Sequence, residues 1–274
     1  MAVSKVDYPP EEVEAARSVL IELIHLLGEY QDAVVLVGGW VPEILIPESE
    51  QHHIGSTDVD LALDHRFIKD SGYKTILSLL TEHGYQKSEE QPFIFFKTVT
   101  DHKIKVQVDF LAGEYEGTGK SRRTQRIQDM RPRKARGCDL AFLHNVEVII
   151  EGQLPSGAHD KVGLKVVSLP AFIAMKGIAL KSRLKEKDSW DIYFCIRNFL
   201  GGAKALALEF SPLIDNGLVQ EGLQNIAEAF SRINGVGPIS IADFEEIPPS
   251  EDRDLLLRDA FERVNALLEK LDVR

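Results

Sequence analysis

Three acids and a glycine pair are the residues of this chain best placed to do chemistry. Asp58 and Asp60 lie two apart, one just before and one within the apolar segment Val59–Leu63. Residues two apart on a strand point to the same face, so the two carboxylates stand side by side. Like charges that close repel unless a cation sits between them. Gly38-Gly39 closes an earlier apolar segment, Ala33–Val37, and precedes a helical pattern from Val41 to Ile46 that Pro47 stops. Glycine lets the backbone approach a phosphate, and a helix N-terminus offers unsatisfied N–H groups. Ser56 and Thr57 add hydroxyl donors just before Asp58. The third acid, Asp109, falls on the polar side of a period-2 stretch in which Ile104, Val106, Val108 and Phe110 alternate with Lys105, Gln107 and Asp109. Carboxylates at this spacing suit a pair of Mg²⁺ ions about 4 Å apart, one activating a hydroxyl and one holding a polyphosphate. The chemistry they point to is nucleotidyl transfer, with Asp58, Asp60 and Asp109 as metal ligands and Asp109 as acceptor of the hydroxyl proton.

The elements needed to hold these residues can be read from periodicity. Pro9-Pro10-Glu11-Glu12 starts a helix whose apolar face is Val13, Ala16, Leu20, Leu23, Ile24 and Leu27, ending near Gly28. Tyr73–Glu82 is a further amphipathic helix closed by His83-Gly84, and Phe93–Val99 pairs with Lys103–Leu111 through Thr100-Asp101-His102. Asp139–Leu143 and Glu147–Ile150 read as a hairpin around His144-Asn145. Beyond Lys165–Val167 the pattern is helical throughout: Ser168–Arg183, Asp188–Phe199, Lys204–Phe210, Leu218–Ile233, and a last helix after Pro248-Pro249-Ser250. The expected organisation is α+β, a mixed sheet flanked by helices over 1–165, followed by an all-helical lobe over 166–274.

Composition narrows the class. The 274 residues are 44% hydrophobic and 27% charged, as in ordinary globular proteins, and no apolar run reaches the length of a membrane span. Isolated Cys138 and Cys195 fit neither a disulfide framework nor a zinc site, and with no signal-peptide core at the N-terminus the expected location is the cytoplasm. His52-His53 reads as loop. A net charge of −11 excludes a general nucleic-acid coat protein. One local exception is Lys120–Arg136, with eight basic residues against the single acid Asp129. It is either a solvated loop or a contact for RNA phosphates through Arg122, Arg123 and Arg126.

Strand, Gly-Gly, helix, then G-S-T-D-x-D on a strand, then an acid on an alternating strand resembles the DNA polymerase β-like nucleotidyltransferase superfamily. The matching residues are Gly38, Gly39, Asp58, Asp60 and Asp109. The interval between Gly39 and Asp58 is longer than is usual there, so 47–55 reads as an inserted loop. The segment SLPAFIAMKGIALKSRLKEKDSWDIYF resembles the AbiEii-type toxins of type IV toxin–antitoxin systems, matching at Lys176, Arg183, Lys187, Asp188 and Asp191. The resemblance implies the nucleotidyltransferase fold, an NTP substrate bound with help from Lys176 and Arg183, catalytic roles for Lys176 and Asp188, Mg²⁺, tRNA or another RNA as acceptor, and a cognate antitoxin as partner. For the four residues Lys176, Arg183, Asp188 and Asp191 the alternative is a salt-bridge network between two helices. Two other functions fit the same strings: a small-molecule transferase of the aminoglycoside-modifying kind, whose cationic substrate would suit the acidic chain, and a nucleotide-binding module without turnover.

Overall fold

The computed structural model describes residues 4–49, 51–68, 74–99, 103–114, 123–183 and 185–273. Two compact units make up the chain. One comprises Pro9–Ile44 and Gly55–Ser168; the other comprises Met1–Tyr8, Leu45–Ile54 and Leu169–Arg274. The helical unit therefore begins at Leu169 and also takes in two earlier segments that the expected 1–165 domain assigns to the sheet. A buried side chain accounts for the second of these: His53 is packed against Trp190 and Phe194, with ring centroids 4.9 Å from each.

The sheet unit begins with α1 (Pro10–Leu26), whose first turn carries Glu11 and Glu12. Its buried face, Ala16, Val19, Leu20, Leu23 and Ile24, packs across several strands of the sheet. β1 (Val34–Val37) is wholly buried and runs into a 3-10 turn, Gly38–Trp40, and then the short helix α2 (Val41–Leu45). β2 (Asp58–Leu63) returns antiparallel to β1. After α3 (Ile76–Glu82) come β3 (Gln86–Lys87), β4 (Ile94–Val99), β5 (Ile104–Ala112) and β6 (Arg133–Lys134). α4 (Asp139–Leu143) precedes β7 (Asn145–Gln153) and β8 (His159–Val167). Among the described residues these strands form one mixed sheet in the order β3-β4-β5-β2-β1-β8-β7, with β6 attached to β5. β2 and β5 are parallel neighbours at its centre. One face of that pair is apolar: Val59 stands opposite Val108 and Leu61 opposite Phe110, all fully buried.

Two expectations are corrected here. Asp139–Leu143 is helical, and the hairpin is instead β7 with β8, turning through Gly157 at φ +86°. A five-residue apolar run has too few positions to separate period 2 from period 3.6. The segment 123–136 is also no free loop. Thr124 bridges Arg133, Ile127 bridges Met130, and both Ile127 and Met130 are buried. Gln125 Nε2 donates to Gly113 O at 3.1 Å, and Gln128 Nε2 to Tyr30 Oη at 3.1 Å. Tyr73, Thr100-Asp101-His102 and Arg122 lie outside the described residues.

The helical unit contains α5 (Leu169–Ser182), α6 (Glu186–Asn198), α7 (Gly202–Phe210), α8 (Gly217–Ala229), α9 (Val236–Phe244) and α10 (Glu251–Lys270). The expected helix Leu218–Ile233 ends at Ala229, where Asn265 Nδ2 donates to Phe230 O at 2.9 Å and occupies a terminal carbonyl. α5 and α8 cross at Gly177 and Gly222. A Cβ on Gly177 would lie 2.1 Å from Gly222 O, so the two backbones touch only because both residues lack side chains. Among the described residues no helix is long and apolar enough to cross a membrane.

Candidate active site

The parallel pairing of β2 with β5 sets Asp60 directly opposite Asp109 and Asp58 opposite Gln107. Residues paired in register project to the same face. Asp58, Asp60, Gln107 and Asp109 therefore form a two-by-two polar patch, each half-buried, on the side away from Val59 and Val108. Sequence reading reached the three acids separately; the register of two strands some fifty residues apart brings them together.

The glycine turn closes one side of this patch. Val37, the last residue of β1, pairs with Asp60, so Gly38 emerges beside that carboxylate. Gly38 adopts φ +76°, a left-handed conformation that glycine takes freely. A Cβ at this position would sit 2.0 Å from Asp60 Oδ2. The carboxylate thus occupies the space that any other residue would fill. Trp40, next along the turn, is buried and donates its Nε1–H to Asp58 O at 2.8 Å, tying the turn to the start of β2.

Two neutral donors hold the outer acids. Ser56 Oγ donates to Asp58 Oδ1 at 2.5 Å, and Gln107 Nε2 donates to Asp109 Oδ1 at 3.1 Å. Gln107 escaped sequence reading, although its place on the polar face of β5, two residues before Asp109, was the available signal. Thr57 is half-buried beside Asp58, and Asp64 pairs with Arg66, Nη2 to Oδ2 at 2.7 Å, beyond the patch.

No three His, Cys, Asp or Glu side chains among the described residues are gathered closely enough to hold a metal by themselves. The donor set still suits a hard divalent cation. Mg²⁺ binds through one or two carboxylates and takes the rest of its shell from water and phosphate oxygens, not from a protein cage. Asp58, Asp60 and Asp109 supply oxygen donors on one face, and Gly38, lacking a side chain, lets the Asp60 carboxylate lie against the turn.

In the helical unit the residues around α5 and α6 make a buried ionic network. Lys176 Nζ lies 2.6 Å from Asp188 Oδ1 and 2.7 Å from Asp191 Oδ2. Lys187 Nζ lies 2.8 Å from Asp191 Oδ1, and Arg183 Nε donates to Asp188 Oδ2 at 3.0 Å. His53 Nε2 stands 2.9 Å from Asp191 Oδ1. Burial alone would raise the Asp188 and Asp191 carboxyls, but the lysines and Arg183 hold both below the usual carboxylate range. Burial works against the charge of Lys176, yet the two aspartates raise it above the usual lysine value. His53 is lowered to about 4, first by burial and then by Lys187, against the opposing pull of Asp191. At neutral pH it is an uncharged ring donating Nε2–H to Asp191. His53 was read as loop, and it does lie outside any helix or strand; its burial carried no signal in the sequence. Of the residues matched in this segment, Lys176, Lys187, Asp188 and Asp191 are buried, while the Arg183 side chain keeps 45% of its exposure.

No family model matches the chain, and no curated protein does. Three solved structures resemble it. JHP933 from Helicobacter pylori is 11% identical, with 99% of this chain and 95% of that chain covered and a TM-score of 0.47. A second H. pylori protein, provisionally described as a nucleotidyltransferase, is 12% identical over 93% of this chain and 96% of its own, with a TM-score of 0.44. The STING-associated CdnE c-di-GMP synthase of Capnocytophaga granulosa is 12% identical over 96% of this chain and 83% of its own, with a TM-score of 0.29. At these identities and scores the likenesses assign no activity, and the functional reading rests on the residues.

Proposed function

We propose that this protein is a metal-dependent nucleotidyltransferase of the DNA polymerase β-like kind. The observation that carries the reading is the β2–β5 register, which sets Asp60 against Asp109 with Asp58 on the same face, beside a turn whose Gly38 leaves room only for the Asp60 carboxylate. In the reaction an acceptor hydroxyl attacks the α-phosphorus of an NTP; the new O–P bond forms as the bond to the β-phosphate oxygen breaks and pyrophosphate leaves. Asp58, Asp60 and Asp109 would hold Mg²⁺ together with phosphate and water oxygens, and the ion would supply positive charge for the phosphate oxygens and the attacking hydroxyl. Asp109, at the edge of the triad, takes the hydroxyl proton. The backbone at Gly38-Gly39 and the hydroxyl of Thr57 face the phosphates, and Ser56 steadies Asp58.

Within the helical unit, Lys176, Asp188 and Asp191 hold the helix pair α5 and α6 together, and Arg183, paired with Asp188, stays partly exposed. That arrangement, with Lys187, supports the AbiEii-like reading and an RNA acceptor. The segment 123–136 supports the same acceptor, because its apolar residues Ile127 and Met130 are buried while Arg123 and Arg126 are exposed. An antitoxin would be the protein partner of such an enzyme.

The test is an incubation of purified protein with Mg²⁺, each labelled NTP, and either total tRNA or an aminoglycoside. Label on RNA, lost in Asp60→Ala with the fold intact, supports the reading. Label on the drug would move the acceptor to a small molecule. Unchanged turnover in Asp60→Ala would sink the metal-site assignment.

A further inference from the structure

We propose that Ser56 and Gln107 are positioning residues that aim the outer two carboxylates of the triad. The proposal rests on the nucleotidyltransferase reading and extends it to residues that do not touch substrate. The relation is the same on both strands. Asp58 receives a hydrogen bond from the residue two places before it, Ser56, and Asp109 receives one from the residue two places before it, Gln107. Both bonds end on Oδ1. Gln107 is also the register partner of Asp58, so it stands beside one acid in the sheet while its amide donates to the other.

The chemistry of the donors matters. A carboxylate with one oxygen held by a donor cannot rotate freely about its Cβ–Cγ bond, so the direction of its other oxygen is set by the backbone. A lysine or arginine in these places would also fix the acid, but would cancel the charge that a divalent cation needs. A hydroxyl and a primary amide orient the carboxylates without bringing a charge of their own. The supports are themselves fixed. Ser56 is 5% exposed and follows Gly55, where φ is +72° and a Cβ would meet Val13 and Trp40 at 2.9 and 3.1 Å. Gln107 is held within the centre of the sheet between β4 and β2.

The experiment compares wild type with Ser56→Ala, Ser56→Thr and Gln107→Leu, first by Mn²⁺ titration calorimetry without nucleotide and then by NMP transfer, with circular dichroism confirming the fold. Outer partners of metal ligands commonly cost about 10–100-fold in affinity or rate when removed. Ser56→Ala and Gln107→Leu should each weaken Mn²⁺ binding by about tenfold or more and lower kcat while KM for the NTP stays near wild type. Ser56→Thr, which keeps the hydroxyl, should restore both. Mn²⁺ affinity and kcat at wild-type values in Ser56→Ala and Gln107→Leu would overturn the proposal, as would a Ser56→Thr that fails to rescue a folded Ser56→Ala. A wild type that binds Mn²⁺ through Asp60 yet transfers nothing would remove the reaction, while the titrations still decide the positioning role.

Discussion

Replacing Gly38 with alanine isolates the packing between the glycine turn and Asp60. The new Cβ would be placed 2.0 Å from Asp60 Oδ2, where ordinary contacts lie at 3.4–4 Å, so the carboxylate must shift by more than an ångström. The backbone contributes a second cost, because φ is +76° and an L-residue there loses about 1–2 kcal/mol. Gly84 separates the two effects. It has φ +78° with nothing within 4 Å of a Cβ, so Gly84→Ala carries the strain without the clash. For a chain of this size 1–2 kcal/mol lowers Tm by a few degrees, roughly 2–8 °C. Both variants should show that loss. Only Gly38→Ala should also lose transfer, by about a hundredfold, the usual consequence of moving a reacting group by an ångström. The assay is pyrophosphate release alongside a thermal melt. Gly38→Ala with wild-type turnover would refute the reasoning, since Asp60 would then either tolerate displacement or play no part.

Three further outcomes follow from the geometry. His53 sits near 4 in the folded state against 6.5 in its absence, so as pH falls the unfolded chain takes up the proton first. Stability should be full above about 6.5, decline by about 3 kcal/mol down to about 4 and then lose nothing more from this group; urea unfolding of His53→Gln across that window should lack the slope. Asp188 and Asp191, both held low, add their own loss as pH falls below the usual carboxylate value. Lys176→Met leaves two buried aspartates short of a cation and should cost about 3–5 kcal/mol by the same measurement; a change within error would show that Lys187 and Arg183 suffice. Arg123→Gln with Arg126→Gln should weaken RNA binding and reduce the slope of log affinity against log salt by about 1.4, two phosphate contacts on a single strand. An unaltered slope would exclude the segment from the RNA contact.

Periodicity made most elements readable. β1 and β2 are bounded by Gly38-Gly39 and by the D-x-D acids, while α1, β4, β5 and α10 appear where proline and apolar spacing place them, because each spans enough residues to display its period. The five residues of α4 do not, and were misread as strand. The helix expected over Leu218–Ile233 stops at Ala229, and the side chain that takes up the next carbonyl, Asn265, lies 35 positions along the chain. The ionic residues of α5 and α6 show the same limit. Their types and spacing suit a phosphate site or a salt-bridge network equally well, and only burial shows that Lys176, Asp188 and Asp191 are partnered with one another.

For the acids themselves the division is sharp. The D-x-D spacing by itself determined that Asp58 and Asp60 share a face, since the period of a strand is local. The alternation of Ile104, Val106, Val108 and Phe110 likewise placed Asp109 on the polar side of β5. What the tertiary structure alone decided is that the two strands are parallel neighbours in a register that sets Asp60 against Asp109. A shift of one residue would have turned Asp109 to the opposite face, into the company of Val59 and Leu61. Register depends on how the apolar faces of distant segments pack together, with Val59 on Val108 and Leu61 on Phe110, and no local pattern specifies that. The same packing placed Gly38 beside Asp60 and put Gln107, a residue of no evident consequence in the sequence, within reach of the triad.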